Sequence, residues 1–387
     1  MQEFMEILEK NVIDKREYWK TYHKLIDVIM IVMWSSMSDC NKWEDVEDFG
    51  KEYEKEFREF LELPNGIPSH DTMQRVMSMI DGEQINRLFV QWLQEKLLEK
   101  GYEMKSELEY KITAIDGKTA RGSKNDYHKA VHIVSAYCVN NAICLGQVKT
   151  EEKSNEITAI PDLLDMLCIE GQIVTIDAMG CQKEIAKKIK QDNEADYILG
   201  LKGNQGTFEQ EVGGYFADKM LLADTQAIDG SYYIYKEKSH SSIITYKTTV
   251  TDDISWFADK NKWVGLNIIG MIEKTTVSIK SGERTEETRF YIGSTQRNAQ
   301  LLYEATRAHW NIETSLHWHL DVTFREDANQ TKDISTVKNM NIVNKMALTL
   351  LKIADFGTKR LSIARKRKLL HMNFPKYMKK IIESVCC

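Results

Sequence analysis

Three observations predict an α/β protein in which a mixed sheet is flanked by helices, preceded by an all-helical N-terminal domain and interrupted by an inserted antiparallel β unit. Residues 1–105 carry helical periodicity without strand-like runs. From residue 106 onward, β-branched runs alternate with amphipathic segments, the pattern of strands covered by helices. Between Tyr232 and Tyr291, four strand-like runs succeed one another with no helical pattern between them. At 387 residues the chain is long enough for two or three domains.

In chain order, YHKLIDVIMIVMWSSM reads as a buried helix and WEDVEDFGKEYEKEFREFLEL as one or two amphipathic ones. The break LPNGIPSHDT holds two of the four prolines. Ser69 is placed there to cap a helix through DTMQRVMSMI, and INRLFVQWLQEKLLEKG supplies the next. Two helices across such a turn fit a helix-turn-helix reader of DNA, and a plain structural turn fits equally well. KITAIDG, VHIVSAYCV and AICLGQVKT predict a three-stranded meander broken by turn residues such as Asn140 and Asn141. The helix EITAIPDLLDMLC leads to the strand QIVTIDA, and CQKEIAKKIKQ leads to ADYILGLK. YYIYKEK, SIITYKTTVT, WVGLNIIGMIEKTTVSIK and ETRFYIGS form the inserted unit, and helices resume near Asn298. The boundaries that follow are 1–105 for the helical domain, 106–207 with 295–355 for the sheet core, 208–294 for the insertion and 356–387 for a basic helical tail.

Composition narrows the class. Hydrophobic content of 42% and charged content of 28% are those of a globular protein without disordered tracts. The longest apolar run, IDVIMIVMW, is well short of the roughly 20 residues that span a bilayer, and the charged start MQEFMEILEK is unlike a signal peptide, so a cytosolic location is expected. Seven cysteines with no C-x-x-C pair argue against a disulfide framework or zinc ribbon. The net charge of −6 is unevenly spread, with an acidic first hundred residues and a basic tail, TKRLSIARKRKLL. Such a tail fits either a nucleic-acid contact or a solvated helix face.

The chemistry concentrates in acids. Asp116 closes the strand of ITAIDGKTARGS with a turn expected at Gly117, and Asp177 closes that of IVTIDAMG. A lone acid at a strand end is usually a cap. Two on neighbouring strands would converge at one sheet edge, where like charges call for a cation between them. In RAHWNIETSLHWHLDVTFRED, a helix places Ile312, Leu316 and Leu320 on one stripe and His309, Glu313 and His317 on the next. Packed across the same edge, Glu313 would add a third carboxylate. Three such groups can hold two Mg²⁺ or Mn²⁺ ions about 4 Å apart for in-line phosphoryl displacement. Zinc on His309, Glu313 and His317 is the rival, but H-E-x-x-H is lacking and the strand acids would be left idle. Trp310 and Trp318 read as core side chains or as platforms for a DNA backbone.

The segments LPNGIPSHDT, AIDGKTARGS, EEKSNEITAIPDLL, TIDAMGCQ, LKGNQ and AHWNIETSLHWHLDVTFRED run in this order along nearly the whole chain. Together they resemble the bacterial insertion-sequence transposases of the DDE superfamily, in the H-repeat-associated branch. The resemblance implies a ribonuclease-H-like core with its catalytic, metal-holding triad at Asp116, Asp177 and Glu313. It implies two Mg²⁺ or Mn²⁺ ions, cleavage at the ends of a mobile element and strand transfer into target DNA. A homodimer on DNA in the cytoplasm, at the nucleoid, is expected, with no membrane and no small-molecule cofactor. Lys118, Arg121, Lys202, Asn204, Arg307 and His309 are the candidate DNA contacts, with Lys124 beside them. Glu156, at a helix start after Lys153, Ser154 and Asn155, and His317 are candidate accessory groups.

Two departures from the pattern stand out. SHSSIITYK keeps His240 but lacks the arginine and acid of the family's His-Gly-Arg-Ile-Glu-like stretch. His309 and Leu320 stand where the wider superfamily often has Arg and Lys around the glutamate. Two alternatives from other classes are a transposase-derived protein that binds DNA without cutting and a metal-dependent nuclease that never joins strands.

Overall fold

Every element described before residue 100 is helical: α1 (Gln2–Asn11), α2 (Leu25–Met37), α3 (Trp43–Glu52), α4 (Glu54–Phe57), α5 (His70–Met79) and α6 (Gly82–Glu99). The computed structural model of the chain describes residues 1–17, 19, 21–100, 110–120, 130–140, 142–150, 156–239, 241–329, 331–357 and 361–386. Arg121, Lys124, Asn141, Lys153, Ser154, Asn155 and His240 lie outside the described residues. Ser69 caps α5 as its position suggests, its hydroxyl accepting from the Thr72 N–H at 3.4 Å. All 13 residues of α2 are buried, which explains an apolar run with no polar face.

The sheet elements follow in the expected sequence: β1 (Ile112–Ala120), β2 (Val131–Cys138), β3 (Ile143–Thr150), α7 (Glu156–Leu164), β4 (Ile173–Ile176), α8 (Lys183–Lys187) and β5 (Asp196–Leu201). Next come α9 (Gly206–Ala217), α10 (Lys219–Ala227), β6 (Tyr232–Ser239), β7 (Ser242–Thr251), β8 (Ile268–Ser278) and β9 (Arg284–Gly293). The last helices are α11 (Ala299–Ile312), α12 (Ile334–Ile353), α13 (Ile363–Met372) and α14 (Phe374–Cys386).

One nine-stranded sheet, in the order β3-β2-β1-β4-β5-β9-β8-β7-β6, contains all of these strands. β4 runs parallel to β1 and β5, and every other neighbouring pair is antiparallel. The inserted strands are antiparallel to one another, but they are not a separate unit. β9 pairs with β5 from Ile198↔Gly293 to Leu201↔Phe290, so the insertion extends the core sheet. The physical reason is that β5 would otherwise be an edge with unpaired backbone groups, which β9 satisfies.

Strand alternation sorts the core into two layers. Ile115, Val174, Ile176 and Leu199 face α7, α8 and α9. Ile112, Ile173 and Ile198 face α11 on the other side. The N-terminal helices share a third core with α12, α13 and α14, which joins Trp34, Trp92, Leu348 and Phe374. The helices before residue 100 and those of the tail, α13 and α14, therefore bury their apolar faces against each other.

The basic tail serves this bundle. Lys366 donates to the carbonyls of Leu351 at 2.7 Å and Ala354 at 2.6 Å, where α12 ends, and Lys380 donates to that of Phe356 at 3.0 Å. Arg367 is 1% exposed; it donates to the Ser36 carbonyl at 2.8 Å and to the Thr323 carbonyl, and pairs with Asp39 at 3.1 Å. Arg367 is internal, and Lys366 and Lys380 are partly buried against the carbonyls that they cap. Among the described residues, no helix is long and apolar enough to cross a membrane.

Replacing Arg367 by Met leaves two buried carbonyls and Asp39 without their donor. The expected loss is roughly 3–5 kcal/mol of stability, the range for breaking a buried pair. Lys379→Met, at an exposed cation of α14, should stay within about 0.5 kcal/mol. Thermal or urea denaturation checks both, and equal stability of the two variants would show that Arg367 is dispensable to the bundle.

Candidate active site

The two strand acids meet through register. The parallel pairing of β1 with β4 ends at Ile115↔Ile176, so Asp116 and Asp177 are the next residues on adjacent strands roughly 4.8 Å apart. Both fall on the α11 side, because each follows a residue that faces α7 and α8. Asp116 does not close its strand as expected. β1 continues to Ala120 along β2, with Asp116 opposite Ser135, because the antiparallel partner outlasts the parallel one. Asp177 directly follows the last residue of β4 and caps the next turn, its carboxylate accepting from the Met179 N–H at 3.0 Å.

Glu313 arrives from the helix that crosses this face. After Ile312 the helix widens into two π-helical turns, Glu313–His317 and His319–Thr323, while Ile312, Leu316 and Leu320 stay buried. Such widened turns recur at functional sites, and neither composition nor period announces this one. Asp116, Asp177 and Glu313 line one open cleft of about 610 Å³, together with Lys202 and Arg289. Among the described residues, no group of three or more His, Cys, Asp or Glu side chains is drawn together closely enough to hold a metal ion.

The electrostatics are those of crowded acids. Burial pushes the Asp116 carboxyl from its ordinary 3.8 up to about 7; Asp177, Glu156 and Glu313 add to the rise, and the Gly117 N–H only partly offsets it. A cation at the cleft would relieve this repulsion, and an all-carboxylate donor set suits a hard divalent ion. His317 Nδ1 lies 3.5 Å from Asp116 Oδ2. Burial, with Lys345 and Lys118 nearby, takes His317 down to about 3, so the imidazole is neutral at physiological pH.

The other expected residues divide. Lys202 is exposed at the cleft, and Asn204 donates to the Ala178 carbonyl at 2.5 Å, tying the loop after β5 to the turn after Asp177. His309 lines the cleft floor with Nδ1 3.1 Å from Thr175 Oγ1; burial lowers its pKa. Lys118 and Arg307 are engaged elsewhere. Lys118, 9% exposed, pairs with Asp321 at 2.5 Å and Glu326 at 3.4 Å. Arg307 donates to the Tyr246 hydroxyl at 3.0 Å and pairs with Glu237 at 3.2 Å, on the inserted strands.

Glu156 is buried on the opposite face of β1, 2.6 Å from His132 Nε2. A Cβ on Gly117 would come within 2.4 Å of Glu156 Oε1 and 2.5 Å of His132 Nε2, so glycine is required for that approach and not for a turn. His132 escapes a reading of VHIVSAYCV as a plain strand; an imidazole inside an apolar run was the available signal. Trp310 lies beneath Arg289 at 4.4 Å and Lys274 at 5.5 Å, and Trp318 is 52% exposed, not core.

Comparison with known proteins identifies the family. A family model described as "Transposase DDE domain" matches residues 107–350, and one described as "DDE_Tnp_1-associated" matches residues 7–93. The chain belongs to the family of transposases with a DDE domain. Its relatives include proteins named as H repeat-associated. "Putative transposase YncI" of Escherichia coli O157:H7 is 38% identical over 93% of this chain and 90% of its own length. "H repeat-associated putative transposase YhhI" of Escherichia coli K12 is 34% identical over 87% of each chain.

Asp116 gives a pH test on the metal-free protein. A carboxyl raised in the folded state makes the unfolded chain bind fewer protons between pH 3.8 and about 7, so stability falls across that window and levels off above it. The full loss is on the order of a few kcal/mol, at about 1.4 kcal/mol per unit. Asp116→Asn should melt higher than the parent at pH 8 and close to it at pH 4. Matching melting curves at pH 8 would rule out a strained Asp116.

Proposed function

We propose that this protein cuts DNA at the ends of a mobile element and joins the freed 3′-hydroxyls to target DNA, with Asp116, Asp177 and Glu313 holding two Mg²⁺ or Mn²⁺ ions. The observation that carries this reading is the convergence of three carboxylates, from adjacent registered strands and one crossing helix, on a single open cleft. The strand order 3-2-1-4-5, with a meander and two parallel strands, supports a ribonuclease-H-like core for it. Bound there, divalent ions would activate the attacking oxygen and neutralise the leaving one. Asp116 and Asp177 present oxygens from the rigid sheet, and Glu313 closes the set from the helix. Lys202 is placed at the cleft to hold a phosphate of the scissile strand, and His309 supports the floor beneath it. Two chains act together, since two ends must be joined. Such an enzyme works in the cytoplasm, at the nucleoid.

We also assign element-end reading to the helical N-terminal part, with the exposed face of α5, the helix after the Pro-Asn-Gly turn, as the reader. Because this part shares its core with α12, α13 and α14, surface substitutions on the full chain test it better than deletion.

Asp116→Asn, Asp177→Asn and Glu313→Gln should each lower strand cleavage by about a hundredfold or more while leaving DNA affinity within a few-fold, since phosphate contacts supply most of the binding. Mg²⁺ and Mn²⁺ should support cleavage and Ca²⁺ should not, its coordination being longer by about 0.3 Å or more. Cleavage assays on element-end duplexes decide, and wild-type rates from any of the three variants would refute the site. Arg75→Ala, at an exposed position of α5, should lower the preference for element ends over random DNA.

A further inference from the structure

We propose that the half-buried Lys118–Asp321 ion pair, backed by Glu326, is a positioning device that sets the separation of Asp116 and Glu313. It rests on the reading above, that these two acids hold the reaction's metal ions. Lys118 lies two residues after Asp116 on the same face of β1, and Asp321 lies eight residues after Glu313 in the same helical segment. The pair therefore joins the two acid-bearing elements at a second point.

A first point already exists, where His317 meets Asp116 at 3.5 Å. The two contacts follow in the same order along both elements, Asp116 then Lys118 on the strand and His317 then Asp321 on the widened helix. A shift of either would break both.

Glu326 holds the lysine from the other side. Its carboxylate, only 9% exposed, is 3.4 Å from Lys118 Nζ and accepts from Asn341 and Asn344 of α12, each at 2.9 Å. Asn344 in turn accepts from the Ser36 hydroxyl of α2 at 2.8 Å. The turn that delivers Glu326 passes through Arg325 at φ +55°, a left-handed conformation that costs a non-glycine residue roughly 1 kcal/mol. That cost is sustained by the contacts Glu326 makes, which anchor Lys118 to the helical bundle. Lys118 is thereby turned inward and does not line the acid cleft.

The test uses the full chain with Lys118→Met, Lys118→Arg and Asp321→Asn. Readouts are cleavage against Mn²⁺ concentration, Mn²⁺ binding by calorimetry without DNA, and DNA affinity against salt. Lys118→Met and Asp321→Asn should raise the Mn²⁺ concentration for half-maximal cleavage about tenfold and weaken Mn²⁺ binding alike, because small misplacement of reacting groups costs about that much or more. DNA affinity and its salt slope should not change, and Lys118→Arg should restore most of the metal dependence. The double variant should be no worse than the poorer single one. A salt slope lower by about one ion would instead make Lys118 a phosphate contact and overturn the proposal. So would wild-type Mn²⁺ dependence in Asp321→Asn, which keeps the shape and serves if Lys118→Met does not fold. Asp116→Asn separates the two levels. If it still cleaves, the metal-ligand reading fails; if it is dead while Asp321→Asn behaves as wild type, only the positioning fails.

Discussion

The pairing of Ile115 with Ile176 decides where the two strand acids, Asp116 and Asp177, lie. β4 has only four residues, all buried, and they are held between β1 and β5 by backbone hydrogen bonds on both edges. Because side chains alternate along a strand, a slip of one residue would turn Asp177 to the face occupied by α7 and α8 and leave Asp116 without its neighbour. The register is defended by Ile173, Val174 and Ile176, each of which would also change layers. The inserted strands contribute here at a distance. By pairing with β5, β9 turns an edge into an interior strand and stiffens the partner on which β4 depends.

Much of this was legible in the chain. β-branched and aromatic runs broken by turn residues marked all five core strands, and Asp116 and Asp177 stood out as a pair, since one acid at a strand end is a common cap and two on neighbouring strands are not. The helix stripe of His309, Glu313 and His317 survives the widened turns, since its apolar neighbours keep the same face buried. What stayed hidden depends on non-local pairing. Nothing in ETRFYIGS says that it lies beside ADYILGLK, some ninety residues earlier. Lys118 follows an acid closely, as a phosphate-binding residue would, and only its contact with Asp321 shows that it faces inward. Arg367 is one cation in the run ARKRK, indistinguishable by pattern from its exposed neighbours Arg365 and Lys368.

Buried polar groups link the layers. His132 and Glu156 lie beneath β1, Lys118 with Asp321 and Glu326 above it, and Arg367 joins the end of the widened helix to α2. Each group is matched by a partner, which is the condition for tolerating charge in an interior. Apolar packing alone would let the helix rotate over the sheet. Directional contacts at both of its ends permit one orientation.

The shared core of the helical bundle has a consequence for how the protein comes into being. α2, buried along its whole length, packs against α12, made some three hundred residues later, and Trp34 packs edge-on against Phe374. On the ribosome, α1, α3 and α5 can cover part of its apolar surface, and the part that meets α12 and Phe374 stays open until those residues emerge. The sheet can be assembled first, but the bundle closes only once α12, α13 and α14 have been made. A nascent chain halted before α12 therefore carries strand acids without a seated Glu313 helix, and presents an exposed apolar helix to chaperones and proteases.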